Sequence, residues 1–497
     1  MKYISTRGNY KKVESAEAIR TGMVPTGGLF VPEDIPAISM DEITKMKEKD
    51  YQQIVFDVIK RFLTDYSDEE LMESIENAYN DDSFPVDEVA PLVKLNDHLY
   101  ILELWHGPTA AFKDMALQLM PQLLTRAVKK SSIDREIVIL VATSGDTGKA
   151  ALEGFKDVEG IKIIVFYPAD GVSKIQELQM NTTTGANTDV VSVEGNFDDC
   201  QTAVKSVFSD EEFIELMNKN DYQFSSANSI NWGRLVPQIV YYFSSYAYLL
   251  KSGVIETGDR VNFAVPTGNF GNILAGFYAY RMGLPVNKFI CASNDNKVLT
   301  DFLNTGIYDA NRDFKKTISP SMDILISSNL ERFLFEITGH NADKINQWYS
   351  NLKEEGKFEI DTETLDNIQS IFTGDYSTEE EACKTIKEIY KKYKYIVDPH
   401  TAVGVNVYNK HIKNTADGTV TVVDSTANPY KFSKAVLESL KGKSAISNGY
   451  ENLEELRKVT GMDIHRALKN LDSKEIRHNR KSSSEAIRKE IKDILNI

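Results

Sequence analysis

Short β-branched apolar runs alternate along the chain with segments whose apolar residues recur every three or four positions. The extended runs fall at residues 100–105, 137–141, 161–166, 190–193, 261–265, 289–292 and 419–423. Helical periodicity fills 110–128, 147–155, 198–218, 235–250 and 273–282. Strands without polar alternation are buried on both faces, and helices between them supply the crossovers that parallel strands require. The pattern predicts an α/β protein with open, mostly parallel sheets flanked by helices.

Outside this alternation the character changes. Residues 1–95 read as mixed and mostly helical, with charged helical patterns through 40–50 and 51–80. Between 306 and 394 the strand pattern disappears and charged helical segments replace it, as expected of a helical insertion covering one side of a site. The tail after Lys441 is again helical and charged. The expected organisation is an N-terminal domain (1–95), a catalytic α/β region (96–440, two subdomains, insertion at about 306–395) and a C-terminal helical segment (441–497).

Length and composition fit that scheme. The 497 residues, 42% hydrophobic and 26% charged, are enough for two to four domains around a large core. No run of about 18 apolar residues marks a membrane span. The opening Met1-Lys2-Tyr3-Ile4-Ser5-Thr6-Arg7 lacks the apolar centre of a secretory signal, so a cytoplasmic location is expected. The three cysteines are far apart, which argues against a disulfide framework or a zinc finger. A net charge of −16 repels phosphate backbones, so nucleic acid is not an expected partner. It leaves room for an anionic small molecule, because a few aligned amides and one Arg reverse the potential locally.

Four segments carry candidate chemistry. Thr267-Gly268-Asn269-Phe270-Gly271-Asn272 follows the run at 261–265 and opens a helix, so converging amides and the helix dipole form an anion cradle suited to phosphate. A plain strand-to-helix turn is the alternative. Thr143-Ser144-Gly145-Asp146-Thr147-Gly148-Lys149 fails the spacing of a nucleotide P-loop and suits a carboxylate better, unless Ser144 or Thr147 merely caps the helix. Lys113 falls in the first turn of an apolar helix, where the dipole lowers its proton affinity and favours the neutral amine that forms Schiff bases. A solvated cation, or a local pair with Asp114, is the bland reading. Asp424-Ser425-Thr426-Ala427-Asn428-Pro429 sits at the carboxyl end of the run at 419–423, where a hydroxyl either meets a heterocyclic nitrogen or caps the next helix. The histidines show no metal-ligand spacing and no GxSxG elbow occurs, so no metal is expected and a serine-hydrolase reading fails.

Together these segments resemble the fold-type II enzymes that use pyridoxal 5′-phosphate (PLP), the tryptophan synthase β-like architecture, and more narrowly the threonine synthases without a plant-type regulatory extension. The resemblance runs nearly end to end. It begins at Ser5-Thr6-Arg7-Gly8 and Gly27-Gly28-Leu29-Phe30-Val31-Pro32, and continues through residues 106–114, 143–148, 228–234 and 266–272. It closes with Ser327-Ser328-Asn329-Leu330-Glu331-Arg332 and residues 425–432, where Asn428 stands in place of the family's usual His. By this resemblance Lys113 is the Schiff-base lysine, Gly268, Asn269, Phe270 and Asn272 hold the cofactor phosphate, and Thr426 bonds the pyridine nitrogen. Ser144, Gly145, Asp146 and Thr147 take the substrate carboxylate, and Asn228, Ser229 and Arg234 take the substrate phosphate. The implied reaction is β,γ-replacement on O-phospho-L-homoserine, giving L-threonine and phosphate. A phospho-lyase releasing 2-oxobutanoate, ammonia and phosphate is the nearest alternative, and a non-catalytic PLP-binding protein is a more distant one. The resemblance implies a monomer or homodimer with no membrane partner.

Overall fold

A computed structural model describes residues 1–497 except 87, 132–134, 144, 170, 196 and 443–448, and only the backbone of 197 and 198. Two sheets carry the architecture. The larger has the strand order Phe372–Tyr376, Val286–Ser293, Val261–Pro266, Thr421–Ser425, Leu99–Glu103, Leu92–Lys94, parallel throughout except for the last strand. The smaller runs Arg480–Ser482, Thr188–Val193, Ile161–Pro168, Glu136–Ala142, Tyr222–Ser225, all parallel. Central strands of both sheets are almost wholly buried, as their unbroken apolar runs require.

The helix Trp232–Lys251 joins the halves. Asn231 starts it by accepting the Gly233 amide at 2.9 Å. Trp232 is fully buried, with the rings of Tyr3, Phe62 and Tyr278 at 5.4, 5.5 and 5.3 Å. This edge-to-face cluster locks the N-terminal region onto the helices behind the larger sheet.

Several expected boundaries move, each for a local reason. The span 306–394 holds three strands: Ile307–Asp309 and Lys357–Glu359 pair antiparallel, and Phe372–Tyr376 extends the larger sheet. Gly374 and Asp375 break the apolar run that marks the other strands. The helix expected at 198–218 is two, Phe197–Phe208 and Glu211–Lys219, because Asp210 accepts the Phe213 amide at 3.0 Å and restarts the chain. Within 51–80, a capping box at Ser67 does the same before Asp68–Ala78. The tail includes the strand Arg480–Ser482 among its helices. Among the described residues no helix is long and apolar enough to cross a membrane.

Candidate active site

The turn after Val261–Pro266 lies at the carboxyl end of the larger sheet, the end where ligands bind in open α/β sheets. Phe270 adopts a left-handed φ of 61°, and the helix Gly271–Met282 starts on it with no side-chain cap. Its first amides therefore remain available to an anion. The turn is braced from 327–329: Ser327 Oγ donates to Gly268 O at 2.9 Å, Ser328 Oγ to Asn269 Oδ1 at 3.2 Å, and Asn329 Nδ2 to Asn269 O at 3.1 Å. Asn329 Nδ2 also reaches Ser229 Oγ at 3.0 Å, which brings the 228–229 segment beside the turn. Arg332, fully buried, donates to Phe30 O at 2.9 Å, Ser229 O at 3.3 Å and Asn329 Oδ1 at 2.8 Å, and also to Ile230 O. Asn272 Oδ1 accepts from Tyr241 and Tyr242, while its Nδ2 is buried without a protein partner. Burial pushes the nearby Asp424 carboxyl up to about 7, and the Tyr242 hydroxyl, which donates to its Oδ2 at 3.2 Å, pulls the other way.

Lys113 lies on a strained loop beside residues 426–428. Ala110 has φ 62°, the Phe112 amide donates to Thr426 O at 2.8 Å, and the Asn428 amide donates to Ala110 O at 3.0 Å. Residues 109–113 and 426–428 thus run side by side, which seats Thr426 next to the lysine loop. The neighbouring Ser425 hydroxyl is occupied by Trp105 Nε1 at 3.1 Å and Thr401 Oγ1 at 3.0 Å.

The lysine itself departs from expectation in cause. It precedes a helix of only four residues, Asp114–Leu117, too short for a substantial dipole. Burial is what lowers its pKa to about 8, with the charges of Lys431 and Arg234 pushing the same way and Asp146 and Asp114 opposing. Asp114 is not its ion-pair partner. That carboxylate accepts the Thr109 amide at 2.8 Å and the Thr109 hydroxyl at 2.6 Å, and burial raises it to about 6. The facing carboxylate is Asp146, with Oδ2 3.8 Å from Lys113 Nζ. Burial would raise Asp146, but Lys431 and Lys113 outweigh it and hold the carboxylate well below its ordinary range.

Asp146 opens the helix Asp146–Phe155 after the strand Glu136–Ala142 of the smaller sheet. Thr143 Oγ1 accepts the amides of Gly145 and Gly148, both at 2.9 Å, so Thr143 takes the capping role that Thr147 was a candidate for. Ser144 lies outside the described residues. Gly145 has φ 130°, and a Cβ there would fall 2.5 Å from the Gln176 amide. Thr147 and Asn228 are half-buried. Arg234 donates to Ala227 O, and its Nε is buried without a protein partner; burial lowers its pKa to about 10.

Several residues that build the site were not among the sequence candidates: Lys431, Gln176, Thr109, Asn329, Arg332 and Tyr241. Thr109, Lys431, Asn329 and Arg332 lie within quoted motifs, which was the available signal; Gln176 and Tyr241 had none.

Uncapped amides, an orphaned asparagine and arginine, and a buried amine near neutrality form a set that fits PLP. The comparisons agree. Residues 83–425 match the pyridoxal-phosphate dependent enzyme family, so the fold is that of a PLP-dependent enzyme of fold-type II. Residues 2–79 match the threonine synthase N terminus and 401–478 the threonine synthase C-terminal family. Threonine synthase from Schizosaccharomyces pombe is 38% identical over 471 residues, covering 89% of this chain and 90% of that protein. The crystal structure of threonine synthase from yeast superposes with a TM-score of 0.88 at 35% identity, covering 100% of this chain and 99% of that one. PLP-bound threonine synthase from Brucella melitensis gives 0.87 at 34% identity, covering 99% of each chain. Human threonine synthase-like 1 is 40% identical over 438 residues, and the match spans 58% of that protein's length. The chain belongs to the threonine synthase family.

Proposed function

We propose that this protein holds PLP on Lys113 and converts O-phospho-L-homoserine and water to L-threonine and phosphate. The observation that carries the reading is the buried Lys113 amine, lowered to about 8 and facing the carboxylate of Asp146. In this reading the amides of Gly268, Asn269 and Phe270 and the free Nδ2 of Asn272 receive the cofactor phosphate. Thr426 meets the pyridine nitrogen. The PLP ring, when bound, supplies the electron sink for negative charge at the substrate carbons.

The chain's own groups do the rest. The loop Ser144–Thr147 receives the substrate carboxylate, and Asn228, Ser229 and Arg234 receive its phosphate, with the unpaired Arg234 Nε completing a bidentate contact. Lys431, Lys113 and Arg234 against Asp146 leave the pocket cationic inside an acidic protein, which favours a doubly anionic substrate. An amine with a pKa near 8 both takes and returns protons at neutral pH, so Lys113 moves protons at Cα and Cβ. Phosphate leaves from Cγ and water adds at Cβ. Walls from both sheets exclude other water until then.

The test supplies purified protein with PLP and O-phospho-L-homoserine, and reduces a parallel sample with borohydride for peptide mapping. Threonine and phosphate in equal amounts, with the reduced cofactor on Lys113, is the expected result. Phosphate with 2-oxobutanoate and ammonia would move the reaction to a phospho-lyase. No phosphate release would sink the substrate assignment.

A further inference from the structure

Lys431 is a second buried lysine on the same carboxylate as Lys113, and beyond adding positive charge the reaction above gives it no task. It lies on the short turn Pro429–Phe432, and its side chain is wholly buried. Its Nζ donates to Thr109 O at 2.9 Å and lies 2.8 Å from Asp146 Oδ1. The Gln176 side chain donates to the same Oδ1 at 2.9 Å. Asp146 therefore uses one oxygen on Lys431 and Gln176, and presents the other to Lys113 at 3.8 Å, within ion-pair range but beyond a hydrogen bond. Thr109 in turn fixes Asp114, the residue after Lys113.

The contact also spans the two halves. Lys431 follows the last strand of the larger sheet, whereas Asp146 and Gln176 belong to helices of the smaller sheet. A buried cation tied to a carboxylate costs desolvation that a hydrophobic pair would avoid, so stability alone is a weak reason for it.

We propose that Lys431 is a positioning residue for Lys113: by engaging the far oxygen of Asp146 it holds that carboxylate off the lysine amine, and so sets both the place and the proton affinity of that amine. The groups bearing on Lys113 are Asp146, Lys431, Arg234 and Asp114. Without Lys431, Asp146 is released to pair with Lys113 directly, and a repelling cation is lost. Both changes favour the protonated amine. This rests on the reading of Lys113 as the cofactor lysine only for its catalytic meaning; the ionisation is a property of the chain alone.

The experiment measures the pH midpoint of Lys113 acetylation in cofactor-free protein by peptide mass spectrometry. Wild type is expected to label with a midpoint near 8. Lys431→Gln should raise that midpoint by about one to two pH units, the size of a single close charge effect. Lys431→Arg, which keeps the cation, should stay within about half a unit of wild type. A midpoint unmoved in folded Lys431→Gln, or raised equally in Lys431→Arg, overturns the proposal. If Lys431→Gln does not fold, the double variant Lys431→Gln with Asp146→Asn removes both charges of the pair. Its midpoint should match wild type or fall below it, and a rise of one unit overturns the idea. Borohydride trapping separates the two readings. Cofactor reduced onto Lys113 with an unmoved midpoint defeats this inference alone. A shifted midpoint with no cofactor on Lys113 defeats the proposed function alone.

Discussion

Gly268→Ala tests the anion cradle through sterics alone. Gly268 is not among the glycines with positive φ, so alanine meets no backbone penalty there. A Cβ at this position would sit 2.6 Å from Ser321 O and 3.1 Å from Met322 Cα, both backbone atoms. Those atoms are not free to retreat. The Ser321 amide donates to His400 Nε2 at 3.2 Å, and the Met322 amide to Ser319 O at 3.0 Å. Asp323, next in the chain, accepts from Asn294 at 2.7 Å and Asn296 at 3.0 Å. The turn at 267–270 must therefore yield, and with it the amides proposed to meet the cofactor phosphate. Forcing a methyl into packed surroundings costs about 1–3 kcal/mol. Spent on the bound state, that weakens PLP about tenfold to a hundredfold. Titration of the cofactor-free protein with PLP, followed by fluorescence, gives the ratio directly. Gly418→Ala, where a Cβ meets nothing within 4 Å, is the control. PLP affinity within twofold of wild type would refute the cradle, or the rigidity of the turn that braces it.

Two further outcomes concern stability. In cofactor-free protein, Lys113→Met should be stabilising at neutral pH: the folded amine titrates near 8 and the unfolded one at 10.5, so wild type gains stability as pH rises between them and below 8 bears the full cost of about 3 kcal/mol. Urea unfolding at pH 7 and pH 10 should show the advantage shrinking at the higher pH, and an advantage that grows there contradicts the assignment. Asp424→Asn addresses the opposite slope. The carboxyl titrates near 7 folded and 3.8 unfolded, so the folded state keeps the extra proton between those values and wild type loses up to about 4 kcal/mol as pH climbs through that window. Thermal melts at pH 4.5 and 7.5 should show the variant gaining on wild type at the higher pH, and a constant gap would place the carboxyl outside the buried network.

The sequence displayed the strands that are buried on both faces. The runs at 137–141, 161–166 and 261–265 lie inside the strands Glu136–Ala142, Ile161–Pro168 and Val261–Pro266. Tyr222–Ser225 and Phe372–Tyr376 stayed hidden because they are short edge strands with polar or glycine positions, so their partners and not their composition make them strands. The four chemistry-bearing segments were visible as punctuated loops after strands, and contacts link them in the structure: Phe112 to Thr426, Lys113 to Asp146, and Tyr242 to both Asn272 and Asp424. Their electrostatics were not visible. The Asp146–Lys431 pair joins residues 285 positions apart, and the depression of Lys113 comes from burial, which no local pattern encodes. Arg332 was quoted only as part of a motif, and its contacts to carbonyls of three distant residues were likewise not visible.

The strand Leu99–Glu103 pairs with Thr421–Ser425, although more than 300 residues separate them. That neighbouring pair seats Thr426 beside the lysine loop, so the cleft has no local precursor. Closing such a long loop is entropically slow, and non-local parallel pairing comes late in folding. A nascent or partly unfolded chain therefore offers the cofactor separate fragments of a pocket and no pocket. The vitamin-derived ligand then binds only the finished fold, and its concentration acts as a thermodynamic weight on the native state, growing with the logarithm of ligand over dissociation constant. Cofactor supply therefore sets part of this protein's folding equilibrium, a role separate from the chemistry the cofactor supplies.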